Sequence, residues 1–338
     1  MDTARTGTDG IDTPRPPAPD FETVTAEELA AYSAAENRFR SSAAARALLG
    51  EPDPGATVEW RHLALPGREL PVRVHRPTAA PGAAPEAGSD AAPDAEGSRL
   101  PLVVHVHGGG FVGTATQCDW TTSHLAARLP ALVVSVEHRL LAPGLPLAQA
   151  AADGWDALAV LVRDAERWGV DPERVAVLGE SCGALISALS AVRAAAEGLP
   201  LRAQVLVNPV TDVTAAMFDH PSVAAYGDRP GPTLPLLRLV RRLSVPSGDE
   251  AAARALSPLH APGLGRTAPA LVVVPTQDSV ADHGRRHAER LRAAGVPVRL
   301  TEYPDAPHAF LTLPGLEPQA VAARAEILGF LRTALEAR

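Results

Sequence analysis

Lysine is absent from this chain of 338 residues, and all 31 of its basic residues are arginine. A P-loop for nucleotide phosphates, a Schiff base with a carbonyl substrate and the phosphate contact of a protein kinase each depend on a lysine side chain. The sequence therefore excludes these three kinds of enzyme.

Cysteine is nearly as scarce, since the chain has only two, which predicts no disulfide framework and favours the reducing cytoplasm. The net charge of −8 comes without a concentrated basic patch, which argues against nucleic acid as a partner. No apolar run reaches the roughly 18 residues of a membrane-spanning helix, and the first residues lack the basic and apolar regions of a signal peptide. We therefore expect a protein with neither a nucleic-acid nor a membrane partner.

Composition divides the chain into unequal parts. Residues 1–22 are rich in Pro, Thr and Asp and predict a disordered tail, whereas residues 23–50 include a helix-capping pattern and predict one or two helices. The remainder, residues 51–338, reads as one large unit. Within it, residues 77–99 consist mainly of Ala, Pro, Gly, Ser and acidic residues, which predicts a flexible loop.

Buried strands alternate with helices over most of the large unit. This alternation predicts an α/β fold with a mostly parallel sheet covered by helices on both faces. An antiparallel pair of strands precedes this alternation. Residues 209–265 interrupt the alternation as an insertion over the carboxyl edge of the sheet. The strands are predicted at 57–65, 70–75, 102–106, 131–136, 174–178, 203–207, 270–274 and 298–303, and the helices at 119–129, 148–167, 184–198, 282–294 and 319–337.

The sequence GESCG at residues 179–183 lies between a predicted strand and a predicted helix. This context is the one that a nucleophile elbow requires, because the tight turn lifts a serine hydroxyl above the sheet. A Cβ on either flanking glycine would crowd the neighbouring strand and helix. We therefore assign Ser181 as the nucleophile.

A serine nucleophile needs a base, and the base needs an orienting acid. Asp278 and His308 each follow a predicted parallel strand, where sites in open α/β sheets lie. They also follow Ser181 in the order nucleophile, acid, base that accompanies such an elbow. Asp278 could instead cap a helix, with Asp282 as the second choice of acid, and His308 could be a surface-loop histidine. Four other histidines are weaker candidates for the base. His283 and His287 are predicted on the exposed face of a helix, and His220 and His260 lie in the insertion.

The tetrahedral intermediate of acyl transfer needs hydrogen-bond donors for its oxyanion. Three glycines follow the strand at 102–106, and their backbone N–H groups can approach a ligand that a Cβ would exclude. We assign the amides of Gly109, Gly110 and Cys182 to this role. His107 and Gly108 are predicted to shape the loop.

Three other kinds of chemistry compete with this interpretation. Gly108, Gly110 and Gly113 also match a dinucleotide fingerprint with Glu137 as the ribose acid, but that reading leaves the elbow, Asp278 and His308 unexplained. Cys182 as a thiol nucleophile is disfavoured, since its side chain should turn away from the substrate. No cluster of metal ligands has the required spacing in the sequence, so we expect neither a metal nor a cofactor.

The motifs together resemble the hormone-sensitive-lipase family of α/β-hydrolases, over about residues 100–338. They are HGGGF at 107–111, the segment 138–143 leading to Asp153, GESCG at 179–183, DSVAD at 278–282 and HAF at 308–310. The resemblance implies the α/β-hydrolase fold and a carboxylic-ester hydrolase with Ser181, Asp278 and His308 as its triad. It also implies a helical cap built from residues 23–50 and 209–265.

The chain departs from the family pattern near the elbow. It has Glu180, Cys182 and Ala184 where the family usually has Asp, Ala and Gly. Ser279 and Val280 replace the usual Pro-Leu, and the segment after Arg139 carries an extra Leu. No triad member or oxyanion donor is lost, but the substrate class stays open.

Acyl transfer or elimination on a natural-product intermediate is the alternative to hydrolysis of a small ester, and a binding module without activity is a third possible function. A homodimer formed through a sheet edge or the last helix is the expected assembly.

Overall fold

The computed structural model describes residues 14–78, 99–228 and 233–336. Over these residues one eight-stranded sheet has the order β1-β2-β4-β3-β5-β6-β7-β8. The pairs β1/β2 and β2/β4 are antiparallel, and every other pair is parallel, which confirms the predicted mostly parallel sheet. The strands are β1 (Ala56–Leu65), β2 (Arg68–Pro77), β3 (Leu100–Val106), β4 (Leu132–Val136), β5 (Val170–Glu180), β6 (Ala203–Val207), β7 (Ala270–Gln277) and β8 (Val298–Pro307).

Helices connect the parallel strands, as the sequence predicts. They are α1 (Ala26–Arg40), α2 (Ala43–Leu49), α3 (Asp119–Arg128), α4 (Leu147–Arg163), α5 (Ala165–Trp168), α6 (Cys182–Glu197), α7 (Pro221–Tyr226), α8 (Thr233–Ser244), α9 (Glu250–Ala255), α10 (Ala281–Ala293) and α11 (Gln319–Glu336). The single helix predicted at 148–167 is divided into α4 and α5. The predicted capping box is present, because Thr25 Oγ1 accepts the N–H of Glu28 and the Glu28 carboxylate accepts the N–H of Thr25.

Successive residues of the central strands pack against opposite layers of helices. Val104 of β3 packs in one apolar cluster with Leu158 and Leu161 of α4. Its neighbour Val103 packs in another with Leu125 of α3 and residues of α11. Burial on both faces explains why these strands are continuous runs of β-branched and aliphatic residues.

The N-terminal helices and the insertion 209–265 meet above the carboxyl ends of the strands. Phe21 and Leu29 pack with Leu239 of α8 and with Val112 from the glycine loop. Of the tail predicted to be disordered over 1–22, the structure describes residues 14–22, where Phe21 is buried, and residues 1–13 lie outside the described residues. The disorder of this tail stays a prediction. Most of the predicted loop 77–99, residues 79–98, also lies outside them.

The predicted exposure of two histidines on a helix is wrong. His283 and His287 of α10 are fully buried, because the insertion covers this face: the backbone of Thr211 donates to His283 Nδ1, and His283 Nε2 lies 3.2 Å from the Met217 carbonyl oxygen. On α11, Val321 is 55% exposed. The buried face of α11 consists instead of Ala320, Ala323, Ile327, Leu331 and Leu335.

No helix among the described residues has the length and apolarity needed to cross a bilayer.

The two faces of α11 offer a matched test of this packing. Leu331→Ala removes a fully buried side chain, and we expect it to lower the free energy of unfolding by about 2–5 kcal/mol. Val321→Ala, on the exposed face, should change it by no more than about 0.5 kcal/mol. Urea denaturation of both variants measures this, and equal losses would contradict the assignment of the faces.

Candidate active site

Ser181 occupies the turn between β5 and α6 with φ 54° and ψ −118°, a conformation that few non-glycine residues adopt. Two close backbone approaches enclose it. A Cβ on Gly179 would lie 2.4 Å from the carbonyl oxygen of Gly183, and a Cβ on Gly183 would lie 2.1 Å from that of Val106. Both positions therefore require glycine, as the sequence analysis expected.

The structure brings Ser181, His308 and Asp278 together. Ser181 Oγ lies 2.8 Å from His308 Nε2, and His308 Nδ1 lies 2.8 Å from Asp278 Oδ2. Asp278 directly follows β7, and His308 directly follows β8, so the sheet order positions all three at one edge. The second carboxylate of the segment, Asp282, is engaged elsewhere, since it accepts the N–H of Ser222 and pairs with Arg285.

Asp278 also makes a local backbone contact, but it does not cap α10. Its Oδ1 accepts the N–H of Val280 at 2.9 Å, while Oδ2 faces the imidazole. Helix α10 begins after Val280 without a side-chain cap, so the helix-cap alternative for Asp278 is wrong. The two contacts hold the buried carboxylate in one orientation.

The electrostatics of His308 suit a general base. Burial lowers its pKa, but the adjacent Asp278 carboxylate outweighs this effect and Glu180 adds to it, so the pKa of His308 is raised above its ordinary value. A more basic imidazole accepts the serine proton more readily, and the carboxylate stabilises the imidazolium that results.

The glycine loop after β3 lies against the elbow. A Cβ on Gly108 would lie 2.8 Å from the carbonyl oxygen of Glu180, and Gly109 and Gly110 have φ values of 108° and 63°. The contact at Gly108 requires glycine, and the positive φ values favour it at Gly109 and Gly110. The loop backbone thus passes beside Ser181.

His107 has the surroundings of a residue that shapes this loop. Its Nδ1–H donates to the Gly108 carbonyl at 2.8 Å, and its ring stacks on His138 with centroids 4.3 Å apart. Burial, followed by the neighbouring His138, holds the pKa of His107 well below its ordinary value. A neutral, buried ring of this kind supports the loop rather than exchanging protons with a substrate.

The dinucleotide alternative loses its structural context. A fingerprint of that kind opens directly into a helix, but here a short 3₁₀ turn intervenes and α3 begins only at Asp119. The carboxylate of Glu137, which would bind the ribose, accepts the N–H of Ala115 and the hydroxyl of Thr114. Both hydrogen bonds connect Glu137 to the segment that follows the glycine loop.

Comparison with known proteins decides the family. The family model described as alpha/beta hydrolase fold matches residues 103–312. The carboxylesterase NlhH of Mycobacterium tuberculosis is 32% identical over 314 residues, which cover 90% of this chain and 92% of that protein.

The chain belongs to the α/β-hydrolase fold family.

Other α/β-hydrolases give the same result. The ethyl acetate hydrolase of Pseudomonas putida is 32% identical over 75% of each chain. The crystal structure of a thermophilic carboxylesterase cloned from a metagenomic library has a TM-score of 0.78 at 26% identity, and covers 92% of this chain and 98% of that one. The predicted membership of the hormone-sensitive-lipase family and the predicted fold are confirmed.

Cys182 of this α/β-hydrolase is buried beneath the loop, in an apolar cluster with Val106 and Phe111. Burial raises the pKa of its thiol to about 11, so the thiolate needed for nucleophilic attack is not available near neutral pH. The structure thus agrees with the expectation that Cys182 is not the nucleophile.

A pocket of about 120 Å³ opens beside Ser181. Helices α1 and α2 supply its apolar wall, and the segment after His308 supplies the opposite side. Its lining includes Phe39, Leu48, Leu49, Asn208, Thr312 and Leu313. The N-terminal helices therefore form part of the site and not a separate layer.

Arg40, which was not among the residues predicted from the sequence, links α1 to the glycine loop. Its guanidinium donates to the carboxylate of Glu36 and to the side-chain oxygen of Gln117. A Cβ on Gly109 would lie 2.6 Å from Arg40 Nη1, so the guanidinium rests directly on the loop. No motif marks this contact, because it joins residues far apart in the sequence.

The elbow glycines provide a test of the close approach. Gly183→Ala should destabilise the fold by about 1–3 kcal/mol, since its methyl group overlaps the Val106 carbonyl and forces the backbone apart. It should also reduce ester turnover, because the position of Ser181 shifts.

Gly329→Ala is the control, since no atom of the described residues beyond its own helix backbone lies within 4 Å of the added methyl group, and helix propensity favours alanine. We expect it to be neutral or mildly stabilising. Thermal denaturation and turnover of a chromogenic ester measure both variants, and a Gly183→Ala protein as stable and active as wild type would contradict the geometry.

Proposed function

We propose that this α/β-hydrolase cleaves small carboxylic esters through an acyl-enzyme intermediate, with Ser181 as nucleophile, His308 as general base and Asp278 as the orienting acid. The continuous chain of hydrogen bonds from Ser181 through His308 to Asp278 is the observation that carries the proposal. The ester hydrolases among its relatives support the same reaction.

The first half of the reaction forms the acyl-enzyme. Ser181 Oγ attacks the ester carbonyl carbon while its proton moves to His308 Nε2, and Asp278 stabilises the imidazolium. The tetrahedral intermediate then collapses, and His308 Nε2–H protonates the leaving alcohol. In the second half, water takes the place of the serine hydroxyl, and the same steps release the carboxylic acid and restore Ser181.

The amides of Gly109, Gly110 and Cys182 are the proposed donors to the oxyanion. Cys182 is the first residue of α6, so its N–H has no acceptor within the helix and the positive end of the helix dipole lies there. The packing of Gly108 on the Glu180 carbonyl holds the loop beside the same turn. Each such donor contributes about 3 kcal/mol to stabilisation of the transition state.

Hydrolysis is favoured over acyl transfer or elimination, since the relatives are named as hydrolases. A binding module without activity is disfavoured because the serine, imidazole and carboxylate are all present and hydrogen-bonded. Cytoplasmic location, the absence of a nucleic-acid partner and a homodimer stay predictions. For the homodimer, β8 at the end of the sheet order and α11 offer the surfaces.

Replacing the nucleophile is the primary test. Ser181→Ala should lower kcat by about 10⁴-fold or more with the fold intact, and should abolish labelling by a fluorophosphonate probe. Ser190→Ala is the control, because this serine of α6 only hydrogen-bonds the Ile186 carbonyl of its own helix. Turnover or labelling of the Ser181→Ala protein at the wild-type level would refute the assignment.

The pH dependence tests the pairing of His308 with Asp278. Protonated His308 cannot accept the serine proton, so activity should rise with pH through the raised pKa of His308. Asp278→Asn removes the negative charge that favours protonation. We therefore expect the acidic limb of the pH–rate profile to move to lower pH and kcat to fall by about 10⁴-fold.

Asp282→Asn serves as the matched control, since its carboxylate interacts with Ser222 and Arg285 rather than with His308. Its acidic limb should coincide with that of wild type. An unmoved limb in Asp278→Asn, or an equal shift in both variants, would contradict the pairing.

A further inference from the structure

Three buried side chains lie together behind the elbow, outside the proposed triad. His105 comes from β3, Cys118 from the turn before α3, and Glu180 from the last position of β5. Their possible ligand atoms all lie within 4.8 Å of one another. The expectation of no metal rested on spacing in the sequence, and the fold brings these distant residues together.

Two atoms of this cluster have no hydrogen-bond partner. His105 Nε2 and Glu180 Oε1 are both buried and unpartnered, and they face each other at 3.6 Å, which is too long for a hydrogen bond. A buried carboxylate oxygen without a partner is costly, and a proton donor or a cation between the two atoms would satisfy it.

The second nitrogen of His105 faces a hydroxyl that can either donate or accept. His105 Nδ1 lies 2.6 Å from Ser135 Oγ, within the buried interior. When Nδ1–H donates to this hydroxyl, the lone pair of Nε2 points into the cluster. Metal-binding histidines show the same arrangement, with one ring nitrogen donating to an oxygen and the other facing the ion.

We propose that His105, Cys118 and Glu180 form a binding site for a thiophilic divalent cation, with Zn²⁺ as the best chemical match. Zinc takes imidazole nitrogen, thiolate and carboxylate ligands at about 2.0–2.3 Å in tetrahedral geometry, which sets ligand atoms about 3.3–3.7 Å apart. The His105–Glu180 separation fits this range. A thiolate and a carboxylate together neutralise the two positive charges, whereas Mg²⁺ and Ca²⁺ prefer oxygen ligands alone.

The pocket beside Ser181 borders the site. Glu180 lines this pocket with its Oε1 buried, so the cluster lies directly behind the pocket wall. The ion would join the end of β5 to β3 and to the segment before α3. Its proposed role is to stabilise the position of the elbow relative to these two elements. This role does not depend on which ester the enzyme cleaves.

Cobalt substitution tests the site directly. The untagged protein, reduced and freed of metal with a chelator, is titrated with Co²⁺ and then with Zn²⁺. We expect one equivalent of Co²⁺ to bind, a near-ultraviolet charge-transfer band from a thiolate ligand, and loss of that band when Zn²⁺ displaces Co²⁺. Bound Zn²⁺ should also raise the melting temperature.

The only two cysteines of the chain form a matched pair of variants. Cys118→Ala should lose the charge-transfer band, whereas Cys182→Ala should retain it. Ser135→Ala should weaken Co²⁺ binding by about 10–100-fold, because it removes the hydroxyl that orients His105. Circular dichroism and fluorophosphonate labelling show whether each variant is folded.

The titration of the wild-type protein is decisive even if a variant does not fold. Failure to bind one equivalent of Co²⁺, absence of the thiolate band, or the same band in Cys118→Ala would overturn the proposal. His105 and Glu180 would then face each other with no ion between them. Loss of ester hydrolysis in any variant, without a change in metal binding, would bear on the proposed function and not on this site.

Discussion

The strained backbone at Ser181 is the constraint on which the rest of the site depends. The turn is held on both sides, since the Ser181 N–H donates to the Val207 carbonyl and the Ser181 carbonyl accepts the N–H groups of Ala184 and Val210. Contacts to β6, to the segment after it and to α6 thus fix a conformation that would be unfavourable in isolation. The hydroxyl is thereby presented above the sheet before any substrate binds, which is the preorganisation that acyl transfer requires.

The order of the strands brings the other two residues of the site to Ser181. β5, β6, β7 and β8 are consecutive in the sheet, so the segments that follow β5, β7 and β8 meet at one edge. The register of β7 and β8 extends the pairing from Ala270 to Gln277, and Asp278 and His308 follow immediately. Residues far apart in the chain are therefore positioned by main-chain pairing rather than by flexible loops.

The sequence predicted the parts of the site that backbone sterics determine. Glycines at the elbow and after β3, and polar residues directly beyond strand ends, have local causes that a single sequence reveals. The missed features are relations between distant segments. Arg40 reaches the glycine loop from α1, and His283 is buried because the insertion covers α10. The cluster of His105, Cys118 and Glu180 likewise exists only once β3 and β5 are adjacent.

A crystal structure of the protein phosphonylated at its nucleophile would show whether the three amides bind the oxyanion, since the phosphonyl oxygen stands for the oxyanion of the tetrahedral intermediate. We expect phosphorus bonded to Ser181 Oγ, with that oxygen about 2.7–3.1 Å from the amide nitrogens of Gly109, Gly110 and Cys182. We also expect His308 Nε2 beside the adduct. Phosphorus on another residue, or an oxygen directed away from these amides, would refute the proposed site.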